Sequence, residues 1–192
     1  TTITVATAEM GNTDTGDKES GGTTGKTGYG KGFDGTININ PSMGTELLSG
    51  LNVFVGAHYS ENYTSTENDL YEGVGGITFD IGPVSLGYGK QGRLTGKTTT
   101  ATDVDYYRNT HYAVAFNVND SLSLSWGLHD SYQGTVNSTA DTLSKKLKVT
   151  SAQIAYTMSG ASVRIAEIDA DNIGYVATDD RKATVVSLGL AF

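Results

Sequence analysis

Lys182-Ala-Thr-Val-Val-Ser-Leu-Gly-Leu-Ala-Phe192 alternates to its last residue. Val186, Leu188, Leu190 and Phe192 fall on one side, and Val185, Ser187, Gly189 and Ala191 on the other. Period two with one apolar face is the signature of a β-strand, in a half-buried sheet or in the wall of a membrane barrel. The same pattern recurs upstream. Leu122, Leu124, Trp126 and Leu128 oppose Ser123, Ser125, Gly127 and His129, and Tyr112, Val114, Phe116 and Val118 oppose His111, Ala113, Ala115 and Asn117.

Working outward gives ten candidate strands. Ile3 and Val5 open the first, and Phe33, Ile37 and Ile39 mark the second, which stops at Pro41 because proline cannot donate to a ladder. Leu51, Val53, Val55, Ala57 and Tyr59 form the third, and Ile77, Phe79 and Ile81 the fourth. Val84, Leu86 and Tyr88 carry the fifth beyond the tight Gly82-Pro83 turn. Ala152, Ile154, Tyr156 and Met158 define the eighth. The ninth starts at Val163-Arg164-Ile165-Ala166 and loses its alternation at Glu167-Ile168, which predicts a bulge or the strand end there.

The connections sort into two kinds. Turns near 82, 120 and 160 are short, whereas 11–27, 60–69, 94–105, 133–146 and 170–181 are longer and polar, and 41–50 is the longest on the short side. This alternation predicts an antiparallel up-and-down meander. In outer-membrane barrels the short turns are periplasmic and the long loops external, so an even strand count puts both termini on the periplasmic side. Trp126, Tyr112, Tyr156 and Phe192 suit aromatic girdles. The competing fold is a soluble β-sandwich, but ten hairpin-linked strands with apolar faces throughout leave no polar edge strand.

Composition agrees with a single domain over residues 1–192. Glycine contributes 25 residues, tyrosine 11, proline 2 and cysteine none. Abundant Gly, Thr and Tyr with few bulky aliphatics is what a barrel wall needs, because only alternate residues meet lipid. No stretch approaches the roughly 18 apolar residues of a membrane helix. Thr1 already begins a strand-like run, which reads as a mature or truncated chain. A net charge of −8 excludes nucleic acid as a partner, there being no basic face to meet phosphate.

The segments Ala161-Ser-Val-Arg-Ile-Ala-Glu-Ile-Asp169, Asn172-Ile-Gly-Tyr175 and Val185-Val-Ser-Leu-Gly-Leu-Ala-Phe192 resemble the closing strands of Gram-negative general porins of the alphaproteobacterial type, and the terminal Phe resembles that of outer-membrane barrels. The resemblance implies an all-β transmembrane β-barrel in the bacterial outer membrane, in contact with lipid and lipopolysaccharide. It also implies a water-filled channel for passive diffusion of small hydrophilic solutes and ions. Porins of that family are sixteen-stranded homotrimers with a constriction loop. This chain is too short for sixteen strands, so the resemblance implies either ten strands of a larger porin or a reduced relative.

Inward parity selects the residues that would line the lumen. The inward positions of strands five to eight and ten are mostly Ser, Gly, Ala, Thr, Gln and Asn, small enough to leave a narrow barrel wet. The charged and titratable candidates are Arg93 and Arg164 by parity, Lys90 and Lys148 near strand ends with their facing left open, Asp34, Glu72 and Asp80, and His58, His111 and His129. Acidic and basic groups in opposing positions would set a transverse field across the water.

Other chemistries have weak signals. His129-Asp130 is the only adjacent His/Asp couple, strand neighbours face opposite sides, and there is no Gly-x-Ser-x-Gly elbow or Cys, so an enzyme is not expected. The three His lack zinc-site spacing. Asp169, Asp171, Asp179 and Asp180 offer oxygen ligands to Ca²⁺ without the spacing of a calcium loop. The alternative function is an adhesion or receptor barrel acting through external loops, with 11–27 and 133–146 long enough to meet a partner.

Overall fold

A computed structural model describes residues 2–9, 29–40, 49–62, 67–98, 100–136 and 146–190, with backbone only for 2–9 and 29–31. The polar loop 11–27, Pro41, the middle of 133–146 and Phe192 lie outside the described residues.

The protein is all-β. Its strands are β1 (Thr2–Glu9), β2 (Tyr29–Ile39), β3 (Leu51–Asn62), β4 (Leu70–Ile81), β5 (Val84–Leu94), β6 (Val104–Asn117), β7 (Leu122–Thr135), β8 (Leu147–Met158), β9 (Ala161–Asp171) and β10 (Arg181–Leu190). They form one sheet in sequence order, each antiparallel to the next, so the meander is observed and the two-sheet sandwich is not. Among the described residues β1 pairs only with β2 and β10 only with β9, so the sheet is not closed on itself.

Local chemistry fixes the register. Gly82 takes φ 55 between β4 and β5, and Pro83 follows it. That order, positive φ then proline, suits the first centre of a II′ hairpin turn, whose twist matches the strands it joins. The β4–β5 ladder then runs unbroken from Ile81↔Val84 to Tyr71↔Leu94. At the β6–β7 turn Asn119 Oδ1 accepts from the amides of Ser121 and Leu122, both at 2.9 Å. The Asn side chain thus closes the turn as an Asx motif.

Several strands are longer than their alternation suggests. β6 begins at Val104 rather than within the Tyr112 run, and β7 continues to Thr135. The ninth strand neither bulges nor ends at Glu167-Ile168. Its ladder to β10 is regular from Ala161↔Leu190 to Ala170↔Arg181. Polar pairs replace apolar ones there: Thr184 Oγ1 donates to Glu167 Oε1 at 2.6 Å, and Lys182 Nζ to Asp169 Oδ2 at 2.6 Å. Cross-strand pairing of opposite chemistry holds a ladder as well as aliphatic pairing does.

Register divides the sheet into two faces. One carries Ile37, Val55, Ile77, Leu86, Phe116, Leu124, Trp126, Ile154, Ile165, Val186 and Leu188, all exposed. Tyrosines pair on it, Tyr59 with Tyr71 and Tyr88 with Tyr112, each at 5.2 Å between ring centroids. From β5 to β10 this apolar character begins at the short-turn end and yields, after three or four alternate positions, to Lys90, Thr110, Asp130, Thr150, Glu167 and Thr184. At 3.3 Å per residue the band covers on the order of 20 Å of strand. Leu70 is the sole buried apolar residue among those described, at 7% exposure. Among the described residues there is one layer, and no apolar core lies between layers.

Candidate functional site: the polar face

The second face holds most of the chain's distinctive polar chemistry. Residues directly opposite on successive strands form continuous rows across it. Asp34, His58, Glu72, Arg93, Tyr107 and Gln133 make one such row from β2 to β7. Strand alternation puts all six on one side, and antiparallel pairing brings each beside the next.

Within this row acidic and basic side chains meet as neighbours. His58 Nδ1 lies 2.6 Å from Asp34 Oδ1, and Arg93 Nε lies 3.0 Å from Glu72 Oε1. These four residues meet on adjacent strands of the same face. Each acid has its hydrogen-bond partner on the adjacent strand, and the Glu72 and Arg93 charges cancel at short range. Asp34 and Arg93 remain 59% and 45% exposed, so these pairs face solvent and their worth in stability is small.

The other candidates separate. Asp80 sits on the same face at the turn end, opposite Ser85. Arg164 is also on this face, between Ala155 and Ser187, and makes no ion pair among the described residues. Lys90 and Lys148 stand on the opposite face. They belong to the row Gly75, Lys90, Thr110, Asp130, Lys148 and Asp171, which has the parity of the exposed apolar residues. Arg93 and Arg164 stand on the other face. They interrupt the apolar face toward the long-loop end.

His111 and His129 are direct cross-strand partners. Their Nδ1 atoms lie 2.9 Å apart and their ring centroids 4.5 Å. Asp130 points to the other face and accepts from Lys146 Nζ at 3.1 Å, so no His129–Asp130 couple forms. This contact holds the Lys146 ammonium above the usual lysine value, the hydrogen bond to Asp130 being the main cause.

One contact on this face is not foreshadowed by periodicity. After β9 a single 3-10 turn, Ile173–Tyr175, folds back over the polar face. Tyr175 adopts φ 63, with Asn172 at 55 and Thr178 at 71, so three non-glycine residues in this short connection occupy the left-handed region. The Tyr175 hydroxyl lies 2.7 Å from Ser131 Oγ on β7, and its ring 6.1 Å from that of Tyr107 on β6. Ser131, 3% exposed, donates in turn to Asn109 Oδ1 at 2.5 Å. Asn172 Nδ2 anchors the start of the segment on the Lys146 carbonyl at 2.9 Å.

Of the four aspartates considered for Ca²⁺, Asp171 ends β9 opposite Lys148 and the other three are held by separate partners. Asp169 pairs with Lys182, Asp179 with Arg181 at 3.5 Å, and Asp180 Oδ1 accepts from the Asn172 amide at 2.9 Å. Among the described residues no group of three or more His, Asp or Glu converges as a metal site.

Small side chains shape the rest of this face. Gly76 lies opposite Phe54, and a Cβ on Gly76 would stand 2.5 Å from the Phe54 ring. The aromatic thus covers the bare backbone of its partner. Gly87, Gly89 and Gly127 keep the centre of β5–β7 open around the two histidines.

No protein-family model matches the chain, and no curated protein is recognisably similar to it.

Proposed function

We propose that this chain forms the wall of a water-filled β-barrel channel in a bacterial outer membrane, a porin-type pore through which small hydrophilic solutes and ions diffuse passively. The carrying observation is the exposed apolar face on a single sheet with no core behind it. Trp126, Ile154 and Leu188 are 42%, 42% and 66% exposed. In water such a face would cost about 25 cal/mol for each Å² left unburied. Lipid around the sheet removes that cost and leaves the polar face to a watery interior.

The polar face supports the same reading. It is lined by short side chains, by the hydrogen-bonded Asp34/His58 contact, by the compensated pair Glu72/Arg93, and by Arg164 without a counter-ion among the described residues. Selectivity in this reading is weak. It rests on Arg164 and on whichever member of each pair is nearer the permeating ion, while Lys90 and Lys148 contact the lipid–water boundary instead. Closure requires β1 and β10 to meet, or further strands or chains to stand between them, as in the larger trimeric porins that the C-terminal segments resemble.

Single-channel recording of the folded chain in a planar bilayer tests the proposal. Stable steps that grow with salt concentration are expected. Membrane-inserted protein that carries no current would overturn it, and would turn attention to a barrel that acts through its external loops.

A further inference from the structure

We propose that His111 and His129 form a binding site for a divalent transition-metal ion of tetragonal preference, Cu²⁺ or Ni²⁺, on the polar face of the sheet. The two side chains sit directly opposite on β6 and β7, where the ladder runs in unbroken register from Tyr106↔Gly134 to Asn117↔Ser123. Both ring planes are therefore carried by a rigid hairpin. The Nδ1 atoms are 2.9 Å apart.

That spacing is what two nitrogens bound to one metal in cis positions require. With bonds of about 2.0–2.1 Å, a separation near 2.9 Å corresponds to an angle of about 90° at the metal, whereas a tetrahedral ion holds its nitrogens about 3.3–3.4 Å apart. Right-angled nitrogen pairs belong to tetragonal Cu²⁺ and Ni²⁺, and copper leads the affinity order of the divalent first-row metals. A modest rotation of each ring turns the two lone pairs from each other toward a shared point above the sheet.

The surroundings leave room for the remaining ligands. Gly89 is the cross-strand neighbour of His111 on β5, Val149 that of His129 on β8, and Ala113 and Gly127 form the next pair of the ladder on the same face. Nothing bulkier than Val149 adjoins the rings in their row or at the Ala113/Gly127 pair, whereas the Asn109/Ser131 pair on the other side is covered by Tyr175, so water completes the coordination sphere from the Ala113/Gly127 side. His58 gives an internal contrast, since its Nδ1 is taken by Asp34 at 2.6 Å and it has no second imidazole across the strand.

The site does not depend on whether the sheet conducts ions. The test is titration of the full chain, folded in detergent micelles, with Cu²⁺ alone, followed by electron paramagnetic resonance. One ion per chain with two equatorial nitrogens is expected. His111→Gln and His129→Gln should each weaken binding by at least about tenfold through loss of one of the two nitrogens, while His58→Gln leaves it unchanged. The strand signal in circular dichroism checks that each variant folds. Absence of a two-nitrogen spectrum, or copper uptake unaltered in both folded Gln variants, would overturn the proposal.

Discussion

The hydroxyl of Tyr175 meets Oγ of Ser131 at 2.7 Å although β8 and β9 lie between them in the sheet. A connection between the last two strands thereby reaches across the polar face to β7, and its ring stands beside Tyr107 on β6. In a channel this segment occupies part of the passage. Tyr175→Ala is expected to raise single-channel conductance, and Tyr175→Phe to free the segment with a loss of about 1 kcal/mol in its local opening. Hydrogen exchange of the 172–180 amides checks the second outcome and bilayer recording the first.

Glu72 and Arg93 form a compensated pair on the same face. Glu72→Gln leaves the guanidinium alone and should shift the reversal potential in a KCl gradient toward anions, while Arg93→Gln shifts it toward cations. Because the pair is exposed, neither change should alter unfolding free energy by more than about 1 kcal/mol. A stability loss well above that, with selectivity untouched, would show that the pair is structural.

Lys146 holds Asp130, whose other oxygen, Oδ1, is buried without a hydrogen-bond partner among the described residues. Lys146→Met removes the one cation within ion-pair distance of that carboxylate among the described residues and should destabilise the fold by up to about 1 kcal/mol near neutral pH. The pH dependence follows from the raised lysine value. A raised folded value means that the contribution is complete below lysine's ordinary value of about 10.4 and fades as pH rises through the folded one. The gap between wild type and Lys146→Met, measured by denaturant unfolding, should therefore close only in strongly alkaline solution.

Leu124 lies in the middle of the exposed apolar band. Leu124→Arg should cost about 2–4 kcal/mol if that face meets the hydrocarbon of a bilayer, and almost nothing if it meets water. Refolding into lipid vesicles, with the fraction inserted read across urea, measures the difference. Gly76→Val gives the counterpart on the polar face. A branched side chain would collide with the Phe54 ring, for a loss of about 1–3 kcal/mol in the same assay.

Much of the architecture is written in period two. The alternation around Trp126 and at Val186 to Leu190 fixes facing, and Gly82-Pro83 and Asn119 mark hairpins by their own turn chemistry. Where alternate positions become polar, as at Glu167 and Asp169, the strand continues on side-chain pairs that only its neighbour's register reveals. The same holds for the site. Asp34, His58, Glu72 and Arg93 are separate letters in sequence, and become one row when four strands are aligned. Lys90 and Lys148 needed that alignment to be assigned a side. His111 and His129 are equidistant from Asp120 at the β6–β7 turn, a symmetry sufficient to pair them without coordinates. Tyr175 had no such signal, since its position depends on backbone conformations that no repeat encodes.

Because every strand pairs with the strand before it, ordering the sheet never requires closing a loop longer than one connection. Loop-closure entropy is then met in small instalments, and assembly can start at the tight β4–β5 hairpin and zip in both directions without waiting for a distant partner. The growing front always offers one unpaired edge. A chain built this way stops adding strands only when its first and last edges find partners, which makes the meeting of those edges the slow, concentration- and lipid-dependent step to look for in refolding kinetics.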